Sequence, residues 1–211
     1  MPRPSTHADR SLLASGRALY AAHGSAGLSV RRVAEHAGVR PGLFHYHFES
    51  KDAFLAAVLQ GLYEDAYAAM RAVADGPGVA VERLRAVLSL LGRILREQGP
   101  VIARIAADVA HGEPAPTAFV RANAPRHLAL LTGLMAAAEQ EGAIAPMPPL
   151  RRMGFVMGAV AAPLIAGRGL LALQPEHPLL SQLVPDVLSA EATEARIDMA
   201  LRALRAGKES P

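Results

Sequence analysis

Between Ser29 and Lys51 the chain concentrates cations and hydrogen-bond donors. Arg31, Arg32, Arg40, His45, Tyr46, His47 and Lys51 stand there against only two acids, Glu35 and Glu49. Side chains of these types can fork onto guanine, donate to other base edges, or neutralise backbone phosphates. The charge distribution agrees. Residues 1–51 hold seven Lys/Arg and three Asp/Glu, a net of +4, whereas residues 52–211 hold 15 and 16, a net of −1. Five of the eight histidines also fall in the first segment. A basic head on a near-neutral body points to a polyanionic partner.

Other chemistries find less support. His45 and His47 are two positions apart, and on a helix such side chains point roughly 160° from one another, so they cannot chelate one ion. No third ligand cluster follows them. The absence of cysteine excludes disulfides, thiolate catalysis and Cys-based metal sites. Gly167-Arg168-Gly169-Leu170-Leu171-Ala172 has the loose GxGxxA form of a dinucleotide fingerprint. That turn needs a strand before it and a βαβ unit around it, and Pro163 interrupts the candidate strand. No GxSxG, HExxH or GxxxxGK[ST] motif occurs. An enzyme is therefore not expected, and neither a cofactor nor a metal is implied.

The elements that must position the donors are helices. The chain has 211 residues, 51% of them hydrophobic and 19% charged, so it can bury a core without covalent staples. Helix formers far outnumber strand formers, which predicts an all-α protein. Met1–Arg10 is polar and lacks the apolar stretch of a secretory signal. The uncharged run Gly154–Gly167 has 14 residues, with Pro163 inside, and is shorter than the roughly 20 that span a bilayer. A cytoplasmic protein with no membrane partner is expected.

Leu12, Leu13, Gly16, Leu19, Tyr20 and His23 share one face of a first helix that has Asp9 in its opening turn and stops at Gly24. Ser29 can cap a short second helix with Val30, Val33, Ala34 and Ala37 on its apolar face, ended by Gly38. Pro41 suits the first position of a third helix through His47, and Ser50 can cap a long fourth with Asp52 in its first turn. Two short helices joined by a tight glycine turn make a helix-turn-helix, whose second member enters the major groove. Arg31 and Arg32 oppose the dipole at the start of the second helix. Arg31 can pair with Glu35 one turn on; for Arg32, phosphate contact and simple solvent exposure stand level. Gly42 fits close approach to DNA or helix packing equally. Arg40 could fork onto guanine O6/N7 and Leu43 could touch a thymine methyl, while His45 and Tyr46 could donate to bases or phosphates. Tyr20, Phe44 and Phe48 read as core.

The ordered landmarks Leu19–Gly24, Leu28–Ala34, Ala37–Gly38–Val39 and Gly42–Phe54 resemble the DNA-binding head of the TetR/AcrR family of bacterial regulators, over roughly residues 10–55. The resemblance implies that Ser29, His47 and Lys51 touch backbone phosphate, and that Arg40, Leu43, His45 and Tyr46 face the groove. Arg40, Leu43, His45 and His47 depart from the residues most frequent there, which puts the operator sequence out of reach.

Beyond the head, helical runs extend through residues 79–97, 101–110, 116–141, 150–173 and 190–206, with a loop near 174–189 that has room for a helical turn. The expected domains are thus a helix-turn-helix domain, 1–51, and a larger helical effector-binding and dimerisation domain, 52–211. The run 150–173 is apolar on most faces and must be buried, most simply against a partner subunit. Its small residues Gly154, Gly158, Ala161 and Ala162 would permit close approach. The resemblance implies a homodimer through the last two helices, on palindromic double-stranded DNA, and a pocket in the middle helices. Candidates for that pocket are Tyr67, Met70, Ile105, Asp108, Phe119, His127, Met135 and Phe155, unless these are ordinary core. Their apolar character suggests a small, largely apolar effector whose binding releases a repressor. A DNA-binding protein without an effector is the alternative.

Overall fold

The computed structural model describes residues 5–173 and 177–205, and its regular structure is helical throughout, apart from one isolated bridge between Ile144 and Arg205. The helices are α1 (Ser5–Gly27), α2 (Val30–Ala37), α3 (Pro41–His47), α4 (Lys51–Ala74), α5 (Ala80–Glu97), α6 (Gly99–Ala110), α7 (Pro114–Gln140), α8 (Pro149–Leu173) and α9 (Ala190–Ala203). A 3₁₀ turn at Pro178–Gln182 and a π turn at Val184–Leu188 occupy the region read as a loop; residues 174–176 of that loop lie outside the described residues.

The chain packs as two compact units. The first takes the chain through Ala66 together with Pro100–Pro125, and the second takes Tyr67–Gly99 and everything from Arg126 onward. The first unit thus keeps the start of α4 together with α1, α2 and α3. The reason lies in the core: α1, α2 and α3 cannot close an apolar interior alone. Phe44 of α3 is fully buried, with its ring 5.0 Å from Phe54, and Phe54 lies 4.9 Å from Phe48. Leu55, Val58 and Leu59 of α4 complete the same cluster with Leu12, Leu19 and Tyr20 of α1, and Ala115 of α7 joins it. Burying each such large side chain contributes about 1.5–3 kcal/mol, so the head keeps the first turns of α4. Pro125, which lacks the N–H that would bond four residues back, stands inside α7 where the first unit ends.

In the second unit, Ala80, Leu84, Val87, Leu88, Gly92 and Leu95 line the buried side of α5 at helical spacing. Ala80, Leu84, Val87 and Leu88 pack with Leu131 and Met135 of α7, Val156 and Val160 of α8, and Ile197 and Leu201 of α9. Ser189 caps α9 by accepting from the Ala192 N–H at 3.0 Å. Arg152 is 3% exposed: its two terminal nitrogens donate to the carbonyls of Met135 (2.9 Å) and Met147 (2.8 Å) and pair with Glu139, while its buried Nε has no partner. A buried guanidinium tolerates its site only with such partners.

Two sequence expectations change, the placement of Asp9 in α1 and the length of the apolar helix α8, while the rejected dinucleotide fingerprint stays rejected. α1 begins at Ser5, so Asp9 stands outside the first turn, although the backbone does break at Gly24 (φ 66°). The GxGxxA run lies inside α8, with no strand before it. Finally, the described residues leave much of α8 uncovered. The span Pro149–Leu171 has a mean hydropathy of 1.6, is long and apolar enough to cross a membrane, and is only 22% buried. The uncharged run underestimated it because flanking Arg151, Arg152 and Arg168 do not stop the helix.

Arg85 clasps α9. Its Nε donates to Asp198 Oδ1 at 2.8 Å and its Nη2 approaches Glu194 at 3.2 Å. The Arg85 guanidinium holds the Asp198 carboxyl below its ordinary pKa. A carboxylate depressed by folding contributes stability above its unfolded pKa of about 3.9, and that contribution is lost as pH falls through the folded value. Arg85→Met should accordingly melt below wild type near neutrality, with the deficit fading in acid. Parallel thermal melts across that range check this, and a pH-independent deficit would contradict it.

Candidate nucleic-acid interface

The turn between α2 and α3 is built from local chemistry. Ser29 has an extended backbone (φ −124°, ψ 150°) and its Oγ accepts the Arg32 N–H at 3.2 Å, capping α2. The hydroxyl hydrogen of Ser29 remains available to a phosphate oxygen. Val33 and Ala34 bury the inner side of α2. Gly38 then turns the chain at φ 68°, ψ 28°, its N–H bonding Glu35 O at 3.2 Å and that of Val39 bonding Ala34 O at 3.0 Å. A Cβ at Gly38 would meet nothing within 4 Å, so the left-handed backbone, not space, requires glycine. Pro41 opens α3.

Only Phe44 of α3 is buried. Arg40, Gly42, Leu43, His45 and Tyr46 are all exposed, Tyr46 to 75%. So exposed a phenol is no core residue, and the five share one solvent-facing surface of a short helix beside a tight turn. A Cβ at Gly42 would also meet nothing within 4 Å, which leaves the packing reading of that glycine without support. His45 leans edge-on against Phe44, with ring centroids 5.5 Å apart. His47 differs from its neighbours: it is half-buried, its Nε2 is enclosed without a partner, and it lies edge-on to Tyr46 at 5.1 Å.

The cations divide by partner. Arg31 Nε is bonded to Glu35 at 2.7 Å, the solvated pair its spacing suggested. Arg32 is exposed and donates one N–H to Gly27 O at 3.0 Å, leaving the rest of its fork to solvent. Lys51, at the start of α4, donates from Nζ to Ser25 O at 3.1 Å. Ser25 is also held from its other side, by Asp108 of α6, whose Oδ2 accepts the Ser25 N–H (3.0 Å) and hydroxyl (2.9 Å). Sequence reasoning missed this junction, because nothing periodic links residues 83 positions apart.

The effector candidates are spread over both units. Ile105, Asp108 and Phe119 lie in the first, where Phe119 packs edge-on to Tyr63 at 5.9 Å. Tyr67, Met70, His127, Met135 and Phe155 lie in the second. Met70 and Met135 belong to its packed core, Tyr67 carries the Arg126 guanidinium 4.3 Å above its ring, and Phe155 is 43% exposed. An apolar groove of 420 Å³ in the first unit is lined by Ala56, Gln60, Ala115, Ala118, Phe119 and Ala122, among others; Phe119 is its one member from that set. A mixed-polarity cavity of 630 Å³ in the second unit, between α5 and α9, takes none of them.

Residues 12–58 match the family model described as bacterial regulatory proteins, tetR family. No curated protein matches the chain. Among solved structures, a TetR-family transcriptional regulator from Agrobacterium tumefaciens is similar at a TM-score of 0.71 and 17% identity, over 96% of this chain and 100% of that one. The transcriptional regulator FadR from Bacillus subtilis, in complex with stearoyl-CoA, is similar at 0.68 and 14% identity, over 93% and 99%. A TetR-family regulator from Marinobacter aquaeolei is similar at 0.64 and 20% identity, over 97% and 98%.

Gly38→Ala should destabilise the protein by about 1–2 kcal/mol, the cost of a left-handed backbone with a Cβ. Urea denaturation measures it, and an unchanged midpoint would show that the turn does not need its glycine.

Proposed function

We propose, from the match of residues 12–58 to the model of tetR-family bacterial regulatory proteins, that the protein is a homodimeric repressor that leaves a palindromic operator when a small, largely apolar molecule binds. The observation that carries DNA reading is the exposed face of α3, with Arg40, Gly42, Leu43, His45 and Tyr46 displayed around a buried Phe44. Arg40 and His45 suit base edges, Leu43 a thymine methyl, and Ser29, Arg32 and Lys51 the phosphates. Regulators of this kind are not enzymes, and no catalytic residue is assigned.

Support for a dimer comes from α8 and α9. Phe155, Gly158, Ala162, Ile165 and Gly169 follow helical spacing along α8 and are all exposed. Cβ atoms at Gly154, Gly158 and Gly169 would each meet nothing within 4 Å, so no packing among the described residues requires those glycines. Ala195 and Met199 extend the apolar surface onto α9. A second copy on a two-fold axis covers the stripe and sets two α3 helices about one DNA turn, roughly 34 Å, apart. The reading carries a cytoplasmic location with it and makes α8 an interface helix instead of a membrane span.

An apolar effector draws support from the groove beside Phe119 and from the stearoyl-CoA bound by the Bacillus subtilis FadR. Ligand release needs different affinities for two arrangements of the heads. One observation favours the effector-free alternative: Met70 and Met135 are 5% and 2% exposed in a packed core. A panel of apolar and amphiphilic compounds, scored for release of the DNA-bound protein, separates the two readings.

Phe155→Glu should shift the protein from dimer to monomer in sedimentation equilibrium and weaken DNA binding with it, since an unpaired charge buried at an interface costs on the order of 3 kcal/mol. A Phe155→Glu protein that stays dimeric would remove α8 from the interface.

A further inference from the structure

Gly24 interrupts α1 at φ 66°, ψ −170°, so the N–H of Ser25 leaves the helical ladder and needs another acceptor. Ser25 is 1% exposed, and a buried donor without a partner is costly. The acceptor is a carboxylate far along the chain: Asp108 Oδ2 takes both the N–H, at 3.0 Å, and the hydroxyl, at 2.9 Å. Asp108 is itself only 8% exposed, and these two donors help to satisfy its buried carboxylate. Gly24 is what lets α6 come so near, because a Cβ there would stand 2.5 Å from Arg104 Cδ and 3.1 Å from Asp108 Oδ1. Tyr20, one turn earlier, is fully buried beside the same carboxylate. Burial first, and then Asp108, keep its phenol protonated far above the usual range.

The opposite side of Ser25 faces α4. Its carbonyl accepts the Lys51 ammonium at 3.1 Å and the Leu28 N–H at 3.3 Å. One residue is thus gripped through its N–H and hydroxyl by the acid of α6 and through its carbonyl by the lysine of α4. An ammonium has three N–H groups; Lys51 spends one on Ser25 and keeps two, on a stem already held in place.

We propose that Asp108 is a positioning residue for DNA binding: by fixing Ser25 it holds the Lys51 ammonium where a backbone phosphate can meet it. This rests on the DNA-binding reading above. Asp108 touches no DNA, and its effect passes through Ser25 to Lys51. Loss of Asp108 frees Ser25, and Lys51 must then be ordered at the moment of binding.

The test is a double-mutant cycle on the full chain, using DNA that wild type binds, with affinities referred to binding-competent protein by stoichiometric titration. Asp108→Ala should bind about tenfold more weakly, the scale of one charge-assisted hydrogen bond. Its log–log salt slope should fall by about one phosphate contact. In the Lys51→Ala background the same substitution should add little. Asp108→Asn keeps an oxygen for both Ser25 donors and should restore most of the affinity, which a loss of general stability would not predict. Should Asp108→Ala fail to fold, Ser25→Ala deletes one of the two bonds and should give a smaller loss, again absent in the Lys51→Ala background. Wild-type affinity and slope in Asp108→Ala, or a loss that adds in full to that of Lys51→Ala, would overturn the proposal. A wild-type protein that binds no DNA would overturn the regulator reading itself, a result distinct from either.

Discussion

The burial of Phe44 between Phe48 and Phe54 is the contact on which the rest of the head depends. α3 is too short to hold its own shape, since a helix of two turns is marginal without tertiary support. Phe44 supplies that support by anchoring one side of α3 into the cluster that α4 completes. Once that side is fixed, the positions around it have nowhere to go but solvent, so Arg40, Leu43, His45 and Tyr46 stand out together. The Gly38 turn and the Ser29 cap set the angle at which they do so. One buried ring and two backbone devices thus produce the exposed face of α3.

Much of this was legible in the sequence because its signals are local. Ser29, Gly38, Pro41 and Ser50 each act within four residues of themselves, through a cap, a left-handed turn or a fixed φ, and each stands where its chemistry suggested. Apolar spacing likewise gave helices whose bounds differ by only a few residues from those observed. What stayed hidden was long-range. No periodicity joins Asp108 to Ser25, so the sequence offers Asp108 as a pocket candidate and not as a support for the α1–α2 junction. The effector set was chosen by residue type, which cannot separate a pocket wall from a packed core; Met70 and Met135 belong to the core.

α8 teaches the converse lesson. Its composition demands cover, and the described residues do not supply it: Leu150, Phe155, Ile165 and Leu170 remain exposed, with glycines open to approach between them. Exposed apolar surface of this extent marks an interaction site. The helices that carry this surface lie in the second unit, and the reading helix in the first. In the proposed function, dimerisation and DNA recognition therefore draw on separate sets of residues, so each can be altered without removing the other's contacts.

The most direct measurement is selection of duplex DNA from a random pool by the full-length protein, followed by fluorescence anisotropy on the enriched sequence as salt is raised. The account predicts an inverted repeat bound by two chains, with log affinity falling linearly against log salt by about 0.9 per phosphate contacted. A pool that shows no enrichment, or binding indifferent to salt, would contradict it: the exposed face of α3 would then not be a reader of DNA.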